Sequence, residues 1–166
     1  MQMTYSMDEA SGVARQATAD LTKWLQSLPE TLQLQNVEND PNYQHIDVDL
    51  LLTNTNGTYQ LEIKGDRWHT TGNFFFETHS NKEKNTPGCF IYTQANYLLY
   101  YFITPRTLYI LPIPETRHWF TTNINRFPER STTTPVRGGG HYTTVGRLVP
   151  IETVIQEVPG VKQYQL

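Results

Sequence analysis

Cys89 is the only cysteine among the 166 residues, so no disulfide can form within the chain, which fits a reducing compartment. No apolar run reaches the ~18 to 20 residues that a membrane span needs. The opening MQMTYSMDEASG lacks the charged-then-apolar pattern of a secretory signal. The expectation is a cytoplasmic protein with no membrane partner. Charge is also scarce: charged residues make up 17% and the formal net charge is −3. That removes the overall basic surplus that by itself marks a nucleic-acid binder. Short basic clusters remain in KGDR, NKEK and TPVRGGGHYTTVGR, and each reads either as a solvated loop or as a local contact surface. The five histidines show no H-x3-H, and there is no C-x2-C, so the usual zinc spacings are missing. RGGGH is glycine-rich but lacks the lysine pattern of a nucleotide loop, and no G-x-S-x-G elbow is present.

The length and the 12% aromatic content, with ten tyrosines, point to one domain over residues 1–166 with a substantial core. Residues 8–28 carry Val13, Ala14, Ala17, Leu21, Trp24, Leu25 and Leu28 at helical spacing, with Ser6 or Asp8 as cap and Pro29 beyond the end. TLQLQNV alternates as a strand and ENDPNYQ reads as a turn. Ile46–Thr53 and Thr58–Lys64 form a hairpin around NTNG, since Asn-Gly between alternating apolar residues is a strong hairpin signal. RWHTTG is expected as a loop, NFFFET as a third strand, HSNKEKNTPG as a long polar loop and CFIY as a short strand. TQANYLLYYFI fits a helix opened by Thr93, or a strand followed by a helix. TLYILPI is a strand, PETRHWFTTNINRF a helix, STTTPVRGGGHYTTVGR a loop, and LVPIETVIQEV a strand and a helix. This order gives a mixed α/β (α+β) fold with one central sheet and flanking helices.

The hairpin DVDLLLTNTNGTYQLEIKGDR carries the chemistry. Side chains alternate faces along a strand, so Asp47 and Asp49 share one face, and Glu62 and Lys64 share one face of the partner strand. A two-residue Asn56-Gly57 turn sets Asp49 opposite Lys64. A four-residue loop sets Thr53 opposite Thr58 and Asp49 opposite Glu62. In both registers the charged residues gather on one face, with Val48, Leu50, Leu52, Leu61 and Ile63 on the other. Carboxylates this close repel unless a proton or cation lies between them. A hard divalent cation such as Mg²⁺ answers this, with the lysine positioning or helping to deprotonate a water. The competing reading is a solvated strand face with a weak surface salt bridge.

Asp49 followed thirteen residues later by Glu62-Ile63-Lys64 on the next strand resembles the PD-(D/E)xK nuclease superfamily, which includes restriction endonucleases and Holliday-junction resolvases. KGDRWHTTGNFFFET followed by TQANYLLYYFI looks like a phage or mobile-element branch of that superfamily. Val48 stands where the family's proline usually is. The likeness covers residues 46 to about 103. It implies a restriction-endonuclease-like sheet, DNA as partner, and Mg²⁺ or Mn²⁺ held by Asp49 and Glu62, with Lys64 orienting the attacking water. Asp49 is the main expected ligand and Asp47 a second ligand or substitute. Glu77 either joins the metal shell or holds Lys64, and Glu9 is a more remote candidate. Arg67, His69, Lys82, Lys84, Gln94 and Arg137, with Arg147, are candidate phosphate contacts, and Trp68, Trp119 and Tyr142 candidate stacking residues. Many such nucleases are homodimers. The alternative is a module that keeps the fold without activity and binds nucleic acid or protein. Cys89, beside apolar residues, is expected to be buried rather than nucleophilic.

Overall fold

The computed structural model describes residues 3–4 and 7–166, and only the backbone of residues 3, 4 and 7. The Ser6 cap lies outside the described residues. In chain order the elements are β1 (Met3–Thr4), α1 (Met7–Ser27), β2 (Gln33–Asn36), α2 (Pro41–Gln44), β3 (Leu50–Asn54), β4 (Gly57–Asp66), β5 (Asn73–Asn81), β6 (Thr86–Pro87) and α3 (Cys89–Tyr92). They continue with β7 (Tyr97–Phe102), β8 (Thr107–Pro112), α4 (Ile113–Asn123), β9 (Glu129–Pro135), β10 (His141–Pro150), α5 (Ile151–Glu157) and β11 (Lys162–Gln165). A short 3-10 turn, His69–Thr71, precedes β5.

The strands build two sheets. One has the order β11-β8-β7-β4-β3-β2, antiparallel except where β7 runs parallel to β4. The other has the order β1-β9-β10-β5-β6. The fold is therefore mixed α/β, with two sheets rather than the one central sheet expected. The six-stranded sheet is covered on both faces. Leu50, Leu61, Leu99, Tyr101 and Leu108 pack under Ala17, Leu21 and Leu25 of α1. On the opposite face Leu98, Tyr100, Phe102 and Leu111 meet Phe74 and Phe76 of β5, together with residues of α3, α4 and α5. Phe76 stacks on Phe90 of α3 at 4.0 Å between ring centroids.

Local chemistry explains the elements. α1 buries Ala17, Leu21 and Leu25 one turn apart, and Asp8 and Glu9 lie in its first turn, where the helix dipole favours negative charge. Its last carbonyls are taken by side chains: Ser27 Oγ donates to Trp24 O at 2.6 Å and Thr31 Oγ1 to Leu25 O at 2.7 Å. Gly65 lets the helix settle on β4. A Cβ built there would stand 2.8 Å from Ala17 Cβ and 3.0 Å from Val13 O.

Several elements differ from the sequence expectation. TQANYLLYYFI contains no helix. Its YLLYYF is β7, buried on both faces, and a continuous apolar run has no period that separates strand from helix. CFIY is helical rather than extended. ENDPNYQ contains α2, started by Asp40, whose Oδ1 accepts from Asn42 N–H at 2.9 Å, and by Pro41. HSNKEKNTPG is not one loop, because β5 runs on to Asn81 and β6 returns. STTTPVRGGGHYTTVGR is a hairpin of β9 and β10, closed by three glycines with φ between 83° and 101°. The strand drawn from Ile46 begins only at Leu50.

Replacing Gly65 with valine should force α1 away from β4. The expected cost is about 1 to 3 kcal/mol or more in urea unfolding, whereas Gly12→Ala, at a position with open space around it, should not be destabilising.

Candidate metal centre between the two sheets

The β3–β4 register is the one in which Thr53 faces Thr58 and Leu50 faces Leu61. β4 then sends Leu61 toward the α1 side, while Glu62, Lys64 and Asp66 point to the opposite side. That side is not solvent. β5 and α3 close over it, and Glu62 is only 6% exposed. Lys64 Nζ meets Glu77 Oε1 of β5 at 2.6 Å, a contact that joins the two sheets. Two residues further, Asp66 Oδ2 accepts from Tyr100 Oη at 2.5 Å, and the same hydroxyl accepts from Phe75 N–H at 3.0 Å.

The two aspartates take different roles. Asp49 sits where the ladder ends and is used by the backbone. Its N–H donates to Leu61 O at 2.9 Å, its carbonyl accepts from Val37 N–H at 2.8 Å, and its Oδ2 accepts from Ile63 N–H at 2.8 Å. Asp47 is not on the strand. It has φ 58°, a left-handed conformation that Asp tolerates better than most residues. Its carbonyl accepts from Thr93 Oγ1 at 2.6 Å, and Ile46 O accepts from Gln94 N–H at 2.9 Å. This turn places an Asp47 carboxylate oxygen, a Glu62 carboxylate oxygen and Cys89 Sγ within 4.8 Å of one another. Asp49 is close enough to Glu62 for its charge to raise the proton affinity of Glu62.

Electrostatics marks the cluster as short of positive charge. Burial, reinforced by Asp49 and Asp47, holds Glu62 well above the usual carboxylate range. Burial, then Asp49 and Glu77, pushes Asp47 up to about 6. Burial also raises Asp49, while the hydrogen bond from Ile63 N–H acts in the opposite sense. For Lys64, burial works against the ammonium, but Glu77, Cys89 and Asp66 outweigh it and the net shift is upward. Glu62 Oε2 is enclosed and has no hydrogen-bond partner among the described residues. A carboxylate in that state costs several kcal/mol unless a proton or cation reaches it.

The remaining candidates lie around this centre. Glu77 is mid-strand rather than at a strand end and grips Lys64. Glu9 is exposed and approaches Arg67 at 3.9 Å rather than the cluster. Arg67 also stacks over Trp68, and His69 Nδ1 contacts Arg67 O, so both lie at the end of the site where β5 begins. Lys82 and Lys84 lie on the turn after β5 and Arg137 on the β9–β10 turn, at the opposite end of the second sheet. Gln94 is exposed beside the Asp47 turn. Asn96 is a structural joint: its N–H donates to Gln60 O at 2.8 Å and its Oδ1 accepts from Gln60 N–H at 2.6 Å. Arg147 donates to Phe127 O and lies 3.5 Å from Glu129. The phosphate candidates therefore do not form one patch: Arg67 and His69 lie at one end of the second sheet, Lys82, Lys84 and Arg137 at the other, and Gln94 and Arg147 stand apart.

Sequence reasoning missed three participants. Cys89 is half-buried at the mouth of the cluster, and no spacing signal links it to the hairpin. Asp66 was readable, since it is two residues beyond Lys64 on the same strand face. Tyr100 lay hidden within an apolar run.

Asp47 is harder to ionise in the folded protein, where its pKa is about 6, than at its ordinary 3.8. Its contribution to stability is fully present below about pH 4 and is lost as pH rises through about 6. Asp47→Asn should therefore stabilise the metal-free protein near pH 7 by about 1 to 2 kcal/mol, after discounting for solvent screening, and have no such effect near pH 3.5. Asp49→Ala should instead destabilise by about 1 to 3 kcal/mol, because Ile63 N–H loses its acceptor. Urea titrations of both variants across this pH range distinguish the two roles.

No family model matches this chain, and no curated protein or solved structure matches it either.

Proposed function

We propose that the protein is a metal-dependent nuclease that hydrolyses DNA phosphodiester bonds at the cluster of Asp47, Glu62 and Lys64. The observation that carries this reading is Glu62 Oε2, buried without a partner among other carboxylates. A buried carboxyl group with an unpaired oxygen beside other carboxylates is well explained as half of a cation site. The order of elements agrees: a helix, an antiparallel hairpin with an aspartate at its edge and Glu-x-Lys on its second strand, then a strand parallel to that one.

Asp47 and Glu62 would hold Mg²⁺ or Mn²⁺, with Asp49 beside them and held by the Ile63 N–H. When bound, the cation supplies Lewis-acid polarisation of the phosphate and acidifies the attacking water. Lys64 stays protonated, because Glu77 and its other acidic neighbours favour the ammonium. It therefore serves as a hydrogen-bond donor and a positive charge beside the scissile phosphate, not as the base. Glu77 fixes the Lys64 ammonium at one position. Gln94, on the exposed turn beside Asp47, and the basic residues at the two ends of the second sheet would meet the DNA backbone. Those contacts would make binding salt-dependent.

The test is cleavage of plasmid, linear, single-stranded and branched DNA with Mg²⁺ or Mn²⁺. Glu62→Gln and Lys64→Ala should each lower the rate at least about a hundredfold on the preferred substrate, and Glu62→Gln should keep or raise the melting temperature. If the wild type is inert on every substrate but still retards DNA, the protein is a binding module without hydrolytic activity, and the proposal fails.

A further inference from the structure

The cluster contains a donor whose chemistry a magnesium site does not use. Cys89 Sγ is grouped with Asp47 and Glu62 oxygens within 4.8 Å. A thiol beside carboxylates is not in itself a site. Here it shares its space with Glu62, which is 6% exposed and carries an enclosed oxygen with no partner.

Cys89 is also held in place from several directions. Gly88 presses on the β5 backbone so closely that a Cβ there would fall 2.4 Å from Glu77 O. Thr93 N–H donates to Cys89 O at 2.8 Å, and Arg117 closes the end of α3 by donating to Ile91 O and Thr93 O, both at 2.8 Å. The strand that grips Lys64 thus also seats the thiol, and Thr93, which ends α3, holds Asp47 through its hydroxyl. Cys89 as a residue is only partly exposed.

We propose that Asp47, Glu62 and Cys89 form a mixed oxygen–sulfur site for a thiophilic divalent cation of the class of Co²⁺, Zn²⁺ or Cd²⁺. This rests on the cation pocket of the nuclease reading, but not on hydrolysis. Sulfur ligands select soft and borderline metals, whereas Mg²⁺ gains little from them. Metal–sulfur and metal–oxygen bonds of about 2.3 and 2.1 Å are reached by small side-chain adjustments from the observed spacing. Binding forms the metal–sulfur bond and releases the Sγ proton to the buffer. Thiophilic ions and Mg²⁺ then compete for the same two carboxylates, and only the former engage the sulfur.

Co²⁺ titration of the full chain, followed by its absorption spectrum in a thiol-free reductant, tests this. The wild type should bind about one equivalent with a sulfur-to-metal charge-transfer band in the near ultraviolet. Cys89→Ser should lose that band and bind Co²⁺ at least tenfold more weakly, with Mn²⁺ affinity within about twofold of wild type. Co²⁺ bound without a sulfur band, and equally well in Cys89→Ser, would overturn the mixed site while leaving the oxygen-only nuclease site standing. A sulfur band that survives in Glu62→Gln would place the ion elsewhere and also overturn it. Absence of any Co²⁺ or Mn²⁺ binding would sink both readings.

Discussion

A charged strand face enclosed between two sheets must find a countercharge for each ionised group. The contact between Lys64 and Glu77 is where this protein meets that constraint. At 2.6 Å it links β4 of the six-stranded sheet to β5 of the other. Removing two charges from water costs more than a surface pair would return, so such a pair is a poor source of stability but a strict source of position. Next to it, Tyr100 connects the Asp66 carboxyl group of β4 to the Phe75 backbone of β5, so a second polar link accompanies the Lys64–Glu77 pair. Around both, the aromatic residues of β5, β7 and α3 exclude water. The sheets are thus registered by two polar links and held together by apolar packing.

The remaining carboxylates follow from that registration. Burial first, and neighbouring carboxylates second, hold Asp47 and Glu62 above the ordinary carboxylate range, with Lys64 as a smaller opposing influence. Their positions are built from distant parts of the chain. The Asp47 turn is held by Thr93 and Gln94, α3 by Arg117, and the start of β7 by the exchange between Asn96 and Gln60. The cluster is short of positive charge, and its side chains are carried by rigid elements.

Much of this was legible in the chain. α1 could be read from Ala17, Leu21 and Leu25, and the β3–β4 hairpin from NTNG, with Glu62 and Lys64 on a shared face under either turn. The aspartates were less so. Two residues apart, Asp47 and Asp49 share a face only if the strand continues through both. The strand stops at Leu50, Asp49 is consumed by the Ile63 N–H, and Asp47 turns left-handed. β7 was unreadable as a strand because it is buried on both faces and shows no alternation. β9 and β10 were hidden by threonines, whose polarity suggested loops although their branched side chains suit strands.

Local pattern determined the amphipathic helix, the hairpin, the pairing of charge with charge and the segregation of apolar residues, because each depends on neighbours within a few positions. Only the tertiary structure decided that the charged face would be roofed rather than solvated. The roof, β5 and α3, is a separate stretch of chain brought over β4 by the crossover to β7. The same crossover holds the Asp47 turn through Thr93 and brings in Cys89. Burial, and with it the altered proton affinity of these carboxylates, is a property of what lies across a gap, which no spacing along a single strand encodes.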